Sequence, residues 1–418
     1  MTAPEKPPVF WLGRQPILDR REQTVAYELL FRSGDAISGR VTDNRMATAS
    51  VITHAFNELG IESVLGTCRG FINFDADLLL SDTVELLPPE RTVVELLETV
   101  DITPAIVARC HELRALGFSF ALDDVVQLGE HYTPVLPLID IIKVDVLATP
   151  PGDLPAMIAR ARGLTGAKLL AEKVDSPEQA RRCRELGFDL FQGYFFARPA
   201  VLEGRRVDPS RQVLVQLLQQ VLTSADNRQI EATFKQAPEL SYKLMRLVNS
   251  IGMGLRFPIA SLSHALVFLG QQQLQRWVQL LLFAQRSRGT AQSPLLGMAA
   301  TRGRLMELLA EKQSGDVAKR DRAFMAGILS LLDVLLETRM EDLIAQISLP
   351  GDVRDALLAR AGPLGHLLKV VEALEQADST TLPALLANDD PCRFDDIAWI
   401  QVKALAWSNA IAQAARGG

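Results

Sequence analysis

The sequence predicts a TIM-like α/β barrel, with one strand antiparallel to the others, followed by an all-helical domain. Eight apolar runs alternate with helical patterns up to about residue 200, and helical spacing dominates the rest of the chain. The length of 418 residues also exceeds what one hydrophobic core usually supports. We therefore expect a barrel domain over residues 9–202 and a helical domain over residues 208–415.

The strand candidates follow one another in a regular order. The first two, VFWLG and TVAYELLF, flank the segment LDRREQ and predict a hairpin, so one strand should run against the others. The next six are FINF, TVVELLE, FSFALDD, IIKVDV, KLLAEKV and DLFQGYFF. Helical segments such as ITPAIVARCHELRALG separate them and end in glycine, a common residue at helix C-termini. This alternation favours a closed barrel over an open sheet.

Composition excludes some classes of function. The net charge of −6 gives no electrostatic reason to expect nucleic acid as a partner. The four cysteines lack metal-ligand spacing, which indicates thiols in a reducing compartment. The longest apolar run is too short to span a bilayer. We expect a cytoplasmic protein without a membrane span.

Charged and amide side chains lie near the C-terminal ends of the apolar runs. Paired aspartates after one strand usually form a solvated turn, but repetition over several strands favours a site. The ends of barrel strands meet at one mouth, where carboxylates repel one another unless cations neutralise them. Oxygen ligands suit Mg²⁺ or Mn²⁺, and a nearby lysine suits a phosphate ester, so we predict a two-metal phosphodiester site. The residues are Glu28, Asn73, Glu95, Asp123, Asp124, Lys143, Asp145, Glu172 and Gln192.

The motifs of this half resemble those of the EAL domain, a barrel that hydrolyses cyclic di-GMP in bacteria. The sequence Glu28-Leu29-Leu30 resembles the EAL signature, and Gln15-Pro16 resembles the glutamine–proline pair before it. The other motifs follow in the family's order: FINF, the E-x-x-E strand Glu95 to Glu98, the pair Asp123-Asp124, the D-x-x-K-[IV]-D segment Asp140 to Asp145, AEKVD and QGYFFARP.

The resemblance implies a role for each of these residues. Two metal ions, Mg or Mn, would be bound, the first by Glu28, Asn73, Glu95 and Asp123 and the second by Asp123 with Asp124. Lys143 and Glu172 would position and deprotonate the attacking water. The nucleotide would be held by Gln15, Arg32 and Gln192, Arg32 through its planar guanidinium. Glu98 would stabilise the loop after the paired aspartates.

That loop departs from the family pattern. It reads DDVVQLGEH where the family has DDFGTG, and valine cannot adopt without strain the backbone conformations that glycine permits. In AEKVD, Lys173 replaces a glycine and Asp175 a glutamate. Two interpretations stay open, an active phosphodiesterase and a binding module without turnover, and we prefer the binding module. His131, in the altered loop, is the histidine to examine for a functional role.

The helical half resembles an HDOD domain, a relative of the HD phosphohydrolases that lacks their metal site. The resemblance rests on PELSYKLMRLVNS, PIASLSHALVFLG and AFMAGILSLLD, where Ser330 and Leu331 stand in place of the His-Asp doublet. EAL followed by HDOD is the arrangement of the YuxH-like bacterial signalling proteins. It implies a regulator that binds cyclic di-GMP at the barrel and protein partners at the HDOD domain, with a homodimer formed through the loop after the aspartates.

Overall fold

The computed structural model describes residues 10–33, 61–197, 209–248, 259, 261–284, 294–336, 338–376, 380–386 and 394–416. The chain divides into two compact units, one of Met1–Arg198 with Lys369–Gly418 and the other of Pro199–Leu368. The expected domain limits at residues 9, 202 and 208 lie outside the described residues. These boundaries stay predictions, and the residues after 368 group with the barrel unit.

The first unit contains a closed barrel of eight strands. The strands are β1 Phe10–Asp19, β2 Thr24–Ser33, β3 Arg69–Phe74, β4 Thr92–Leu96, β5 Ser119–Val125, β6 Ile141–Asp145, β7 Lys168–Glu172 and β8 Leu190–Gln192. Strand β1 pairs antiparallel with both β2 and β8, and the other neighbouring strands pair parallel. The predicted barrel with one antiparallel strand is confirmed.

Short helices connect the strands of the barrel. They are α1 Ile61–Leu65, α2 Ala76–Leu80, α3 Pro104–Ala115, α4 Leu154–Leu164 and α5 Pro177–Leu186. Helix α5 shows how the local sequence sets such limits. The Ser176 hydroxyl accepts a hydrogen bond from the Gln179 backbone N–H at its start, and Gly187 at its end has a φ of 98°, a left-handed conformation that favours glycine.

The barrel interior consists of an apolar layer beneath a polar layer. Alternate residues of a strand point to opposite faces, so residues two apart share the interior. One buried apolar residue from each strand forms a cluster: Ile17, Ala26, Phe71, Val93, Ala121, Ile141, Leu170 and Leu190. The interior position two residues farther towards the mouth is polar on every strand: Gln15, Glu28, Asn73, Glu95, Asp123, Lys143, Glu172 and Gln192. The apolar layer thus forms the floor of a polar cup.

Helices are the regular secondary structure in the described residues of the second unit. Its helices are α6 Pro209–Leu222, α7 Asn227–Lys235, α8 Pro238–Val248, α9 Leu262–Ala284, α10 Pro294–Gln313, α11 Val317–Leu329, α12 Leu332–Leu336, α13 Met340–Ile344, α14 Gly351–Ala359 and the first part of α15 Gly362–Glu375. Helix α9 is kinked at Gly270, and the division between the units falls inside α15. The predicted all-helical second domain is confirmed. None of the described helices is long and apolar enough to cross a membrane.

Two further helices, α16 Thr381–Leu386 and α17 Phe394–Arg416, belong to the barrel unit. The Gln401 side chain of α17 accepts a hydrogen bond from the Leu12 backbone N–H and donates one to the Leu12 carbonyl, at 3.2 and 3.0 Å. Val402 and Leu405 join the apolar cluster of the barrel unit. Asn409 donates to the Ser63 carbonyl of α1 at 2.9 Å. Helix α17 therefore packs on β1 and α1.

Candidate functional site

The polar layer at the mouth brings together eight of the residues singled out in the sequence. The strand register explains their proximity, because Gln15 lies opposite Glu28 on the β1–β2 pair and Asn73 opposite Glu95 on β3–β4. Each residue lies two positions from the apolar floor, so the same alternation that fills the floor turns these side chains into the cup. These eight side chains lie together at one mouth of the barrel, as the strand order predicted.

Lys143 occupies the centre of this layer and is 0% exposed. Its ammonium lies 2.6 Å from Glu95 Oε1, 2.6 Å from Asp123 Oδ1 and 2.9 Å from Glu172 Oε1. A fourth carboxylate, that of Glu28, is 3.5 Å away. One positive charge thus faces four carboxylates, and buried carboxylates without full compensation are unfavourable.

Amide side chains at the edge of the polar layer form hydrogen bonds with one another and with Glu28. Gln192 donates to Gln15 Oε1 at 2.9 Å and also to the Glu28 carboxylate. Asn73 donates to Glu28 Oε1 at 3.3 Å. Several buried acceptor oxygens accept no hydrogen bond: Asn73 Oδ1, Glu95 Oε2, Glu172 Oε2 and Gln192 Oε1. Buried polar atoms are rarely left in this state, so these oxygens indicate a missing partner.

Burial and mutual repulsion shift the protonation of the carboxylates. Burial raises the pKa of Glu95 well above its ordinary value, and Glu28 and Asp123 raise it further against the opposing effect of Lys143. Burial likewise raises the pKa of Asp123, and it raises the pKa of Glu172 to about 8. Burial alone would lower the pKa of Lys143, but the surrounding carboxylates raise it well above its ordinary value. If all four carboxylates were ionised, they would carry more negative charge than the single lysine neutralises, and the raised pKa values follow from that imbalance and from burial.

A divalent cation fits this first cluster. Carboxylate oxygens of Glu28, Glu95 and Asp123 lie within 4.8 Å of one another, and all three residues are buried. Hard cations such as Mg²⁺, Mn²⁺ and Ca²⁺ bind carboxylate and amide oxygens. The buried acceptors that lack hydrogen bonds in this layer are oxygens of these two kinds. A cation there would also offset the repulsion that raises the carboxylate pKa values.

A second group of carboxylates lies beside the first. Oxygens of Glu98, Asp123 and Asp124 also lie within 4.8 Å of one another, and Glu98 is exposed. Lys173, which follows β7, lies 2.7 Å from Asp124 Oδ1 and 2.6 Å from Asp145 Oδ2. In the sequence, Lys173 stands out only as a replacement for glycine, and these ion pairs were not predicted. The loop-stabilising role of Glu98 stays a prediction.

The loop after the paired aspartates is packed against the core of the barrel unit. Val125, Leu128 and Tyr132 are buried in the apolar cluster, at 2%, 2% and 7% exposure. His131 is exposed, and its ring centroid lies 3.9 Å from that of Tyr132. Apolar side chains thus hold a segment in which the family pattern has small residues, and His131 contributes a ring contact.

Two further residues lie on or beside the strands that carry the polar layer. Arg32 lies on β2 opposite Trp11, in the strand that carries Glu28. Tyr194, which the sequence analysis did not single out, accepts a hydrogen bond from Gln15 Nε2 at 3.5 Å and donates to the Glu375 carbonyl at 3.1 Å. Tyr194 lies two residues after Gln192 in the QGY motif, and this position could have identified it from the sequence as a residue near the site.

The helical unit has no counterpart of the acidic cup in its described residues. Ser330, in place of the histidine of the HD doublet, is buried at the end of α11. Its hydroxyl donates to the Gly327 carbonyl at 2.7 Å and accepts from Arg302 Nη1 at 3.0 Å. A structural hydrogen-bond network thus occupies this position.

Comparisons with known proteins match both units of the chain. Residues 15–199 match the family model of the EAL domain, and residues 209–350 match that of the HDOD domain. The chain is 35% identical over 376 residues to the cyclic di-GMP phosphodiesterase CdgJ of Vibrio cholerae, a match that covers 88% of this chain and 85% of CdgJ. It is 30% identical over 383 residues to the uncharacterized protein YuxH of Bacillus subtilis, with 90% and 93% coverage.

Solved structures of EAL proteins are also similar to part of this chain. One is the Klebsiella pneumoniae protein BlrP1 in a complex with calcium and cyclic di-GMP at pH 8.0. It is 22% identical, with a TM-score of 0.39, and the match covers 47% of this chain and 57% of that chain.

Proposed function

Because this chain belongs to the family of proteins in which an EAL domain is followed by an HDOD domain, we propose that its barrel binds cyclic di-GMP through a divalent cation. The observation that carries the proposal is the buried cup of carboxylates with acceptor oxygens that accept no hydrogen bond. A phosphate diester is an anion, so it would not enter this cup without a cation to bridge the two negative groups. The name of the Vibrio cholerae relative supports cyclic di-GMP as the diester.

Different residues of the barrel would bind the cation and the nucleotide. Glu28, Asn73, Glu95 and Asp123 would hold the cation, which would be Mg²⁺ or Mn²⁺ in the cell. Gln15 and Gln192 form a pair of amides at the rim and would orient the nucleotide by hydrogen bonds. Arg32 would bind a phosphate through its guanidinium, which is suited to two parallel hydrogen bonds.

For the output of the protein, we propose regulation by binding. The helical unit has a buried Arg302–Ser330 hydrogen bond where HD enzymes have metal ligands, which favours an interaction domain. Nucleotide binding at the barrel would then control protein partners at the HDOD domain, and a second copy of the chain would pair through the loop after the aspartates.

Hydrolysis of cyclic di-GMP to the linear dinucleotide is a second candidate, favoured by the contact between Glu172 and Lys143. Glu172 could accept a proton from water as the water oxygen attacks phosphorus, while one phosphorus–oxygen ester bond breaks and the departing oxygen takes up a proton. Lys143 would orient Glu172 through their 2.9 Å contact. A divalent cation at the first cluster would supply Lewis-acid polarisation of a phosphate oxygen.

Calorimetric titration of the full chain with cyclic di-GMP tests the binding proposal. We expect a binding signal with Mg²⁺ or Mn²⁺ present and its loss in EDTA. Glu95→Gln should abolish binding because it removes a buried cation ligand, whereas Glu90→Gln, an exposed glutamate of the same unit, should not change it. Binding that survives both EDTA and Glu95→Gln would refute a cation-bridged site.

Product analysis separates the two proposed outputs. The regulatory interpretation expects binding without conversion to the linear dinucleotide over hours of incubation. Conversion that requires a divalent cation and is lost in Glu28→Ala would establish the phosphodiesterase instead.

A further inference from the structure

Lys173 lies between two carboxylates at the mouth of the barrel. It follows Glu172 directly at the end of β7, and its ammonium contacts Asp124 Oδ1 at 2.7 Å and Asp145 Oδ2 at 2.6 Å. Asp145 also accepts hydrogen bonds from the backbone N–H groups of Leu147 and Ala148, at 2.8 and 2.9 Å. The ammonium therefore joins the ends of β5, β6 and β7 across the rim.

The backbone at both ends of this contact is unusual. Lys173 has a φ of 55° and Asp124 a φ of 45°, both in the left-handed region that non-glycine residues seldom adopt. Such conformations persist where the surrounding structure determines them, and they occur often at functional sites. The Lys173 side chain is 47% exposed, so an ion pair of this kind adds little stability by itself. Its position, rather than its strength, distinguishes it.

The two carboxylate groups at the mouth differ in what their oxygens contact. In the first group, Lys143 contacts Glu95 Oε1 and Asp123 Oδ1, but Asn73 Oδ1 and Glu95 Oε2 accept no hydrogen bond, which suits a cation. In the second group, Asp124 Oδ1 contacts Lys173 and Asp123 Oδ1 contacts Lys143. Lys143 contacts both groups because they share Asp123, so Lys173 is the ammonium that distinguishes the second group. A divalent ion bound by Asp124 would face the repulsion of Lys173 at short range.

We propose that Lys173 is a built-in cation that takes the place of a second divalent ion at Asp124, so that the barrel binds one divalent ion and not two. The inference rests on the proposed divalent-cation site at Glu28, Glu95 and Asp123. It replaces the two-metal expectation from the sequence with a mixed arrangement, one exchangeable ion and one covalently attached ammonium.

The number of Mn²⁺ ions bound by the metal-stripped full chain tests this inference. Calorimetry and the electron paramagnetic resonance of free Mn²⁺ both count ions without any need for turnover. The unmodified chain should bind one Mn²⁺. Lys173→Gly, which also relieves the positive φ, and Lys173→Met, which keeps the side-chain length, should each bind two.

Three controls make the count specific. Lys168→Met removes an exposed lysine from the opposite end of β7 and should leave the count at one. Adding Asp124→Asn to Lys173→Gly should return the count from two to one. Circular dichroism melting of each variant establishes that it is folded at the temperature of the titration.

The outcomes separate this inference from the function on which it rests. Two ions in the unmodified chain, or one ion in both Lys173 variants, would overturn the role of Lys173 and leave the cation site standing. No bound ion in the unmodified chain would overturn the cation site itself, and the inference with it.

Discussion

At the scale of the residue, Lys143 is the side chain on which the charge balance of the cup depends. It is fully buried and contacts four carboxylates. We expect Lys143→Met to destabilise the metal-free protein by about 3–5 kcal/mol, because removing one partner leaves buried charges without compensation. Added Mn²⁺ should restore part of the loss. Chemical unfolding with and without Mn²⁺ measures both effects, and equal stability of Lys143→Met and the unmodified protein in EDTA would contradict the prediction.

The raised pKa of Glu172 predicts a pH dependence of stability in the metal-free protein. The carboxyl releases its proton near 4.5 when the chain is unfolded, but burial raises its pKa to about 8 in the folded chain. Between these values the folded state binds more protons, so stability falls as pH rises through this window and levels off above it. We expect the melting temperature in EDTA to fall between about pH 5 and pH 8.

Glu172→Gln provides the control for this pH dependence. In this variant, the fall of the melting temperature with pH should be smaller but not zero, because burial also raises the pKa values of Glu95 and Asp123. Addition of Mn²⁺ to the unmodified protein should likewise reduce the slope. A melting temperature that rises with pH in this window would contradict the account.

The sequence predicted the members of the cup better than their contacts. Strand alternation and order were enough to bring Glu28, Glu95 and Asp123 to one mouth, because these depend only on a period of two and a closed barrel. The ion pairs of Lys173 depend on two positive φ angles and on the length of a flexible side chain. No pattern in the sequence specifies such angles for lysine, and the expected two-metal site could not be refined without them.

At the scale of the element, the helical unit contains a close helix crossing built from glycines. A Cβ atom at Gly327 of α11 would lie 2.7 Å from the Arg302 carbonyl oxygen and 2.8 Å from Gly303 Cα of α10. Both contacts are to backbone, which cannot rotate away. We expect Gly327→Ala to cost about 1–3 kcal/mol of stability by overpacking.

Gly297→Ala is the matched control for that crossing. Gly297 lies in α10, and a Cβ atom there would meet nothing within 4 Å. The substitution should be neutral or stabilise the helix by up to about 1 kcal/mol, because alanine has the higher helix propensity. Guanidinium unfolding followed by circular dichroism distinguishes the two variants. Equal midpoints for both would contradict the proposed crossing.

The elements themselves were largely readable from the sequence, and the packing of the altered loop was not. Apolar runs predicted all eight strands, since burial on both faces of a barrel strand leaves a continuous hydrophobic signal. The loop DDVVQLGEH was expected only to differ from a glycine-rich one. Val125 and Leu128 are buried in the apolar cluster of the barrel unit, whose members come from distant parts of the sequence, so the local sequence does not encode this packing.

At the scale of the whole molecule, the barrel unit is assembled from both ends of the chain. Residues 369–418 group with the barrel, although helical periodicity had placed the stretch up to residue 415 in the helical domain. Amphipathic spacing indicates that a helix buries one face, but it does not identify the surface on which that face is buried. The hydrogen bonds of Gln401 to Leu12 are contacts between residues 389 positions apart, which no local pattern could predict.

Because helix α17 packs on β1 and α1, we expect substitutions in α17 to destabilise these segments near the start of the chain. Leu405 is 4% exposed within the barrel's apolar cluster, so Leu405→Ala should lower the free energy of unfolding by about 2–5 kcal/mol. The control, Trp399→Ala, removes a side chain that is 42% exposed and should change the free energy of unfolding by less than about 1 kcal/mol. Hydrogen exchange followed by mass spectrometry locates the change. Leu405→Ala should speed exchange in Phe10–Asp19 and Ile61–Leu65, because these segments lose a packing partner. Faster exchange confined to residues 209–368 would instead assign α17 to the helical unit.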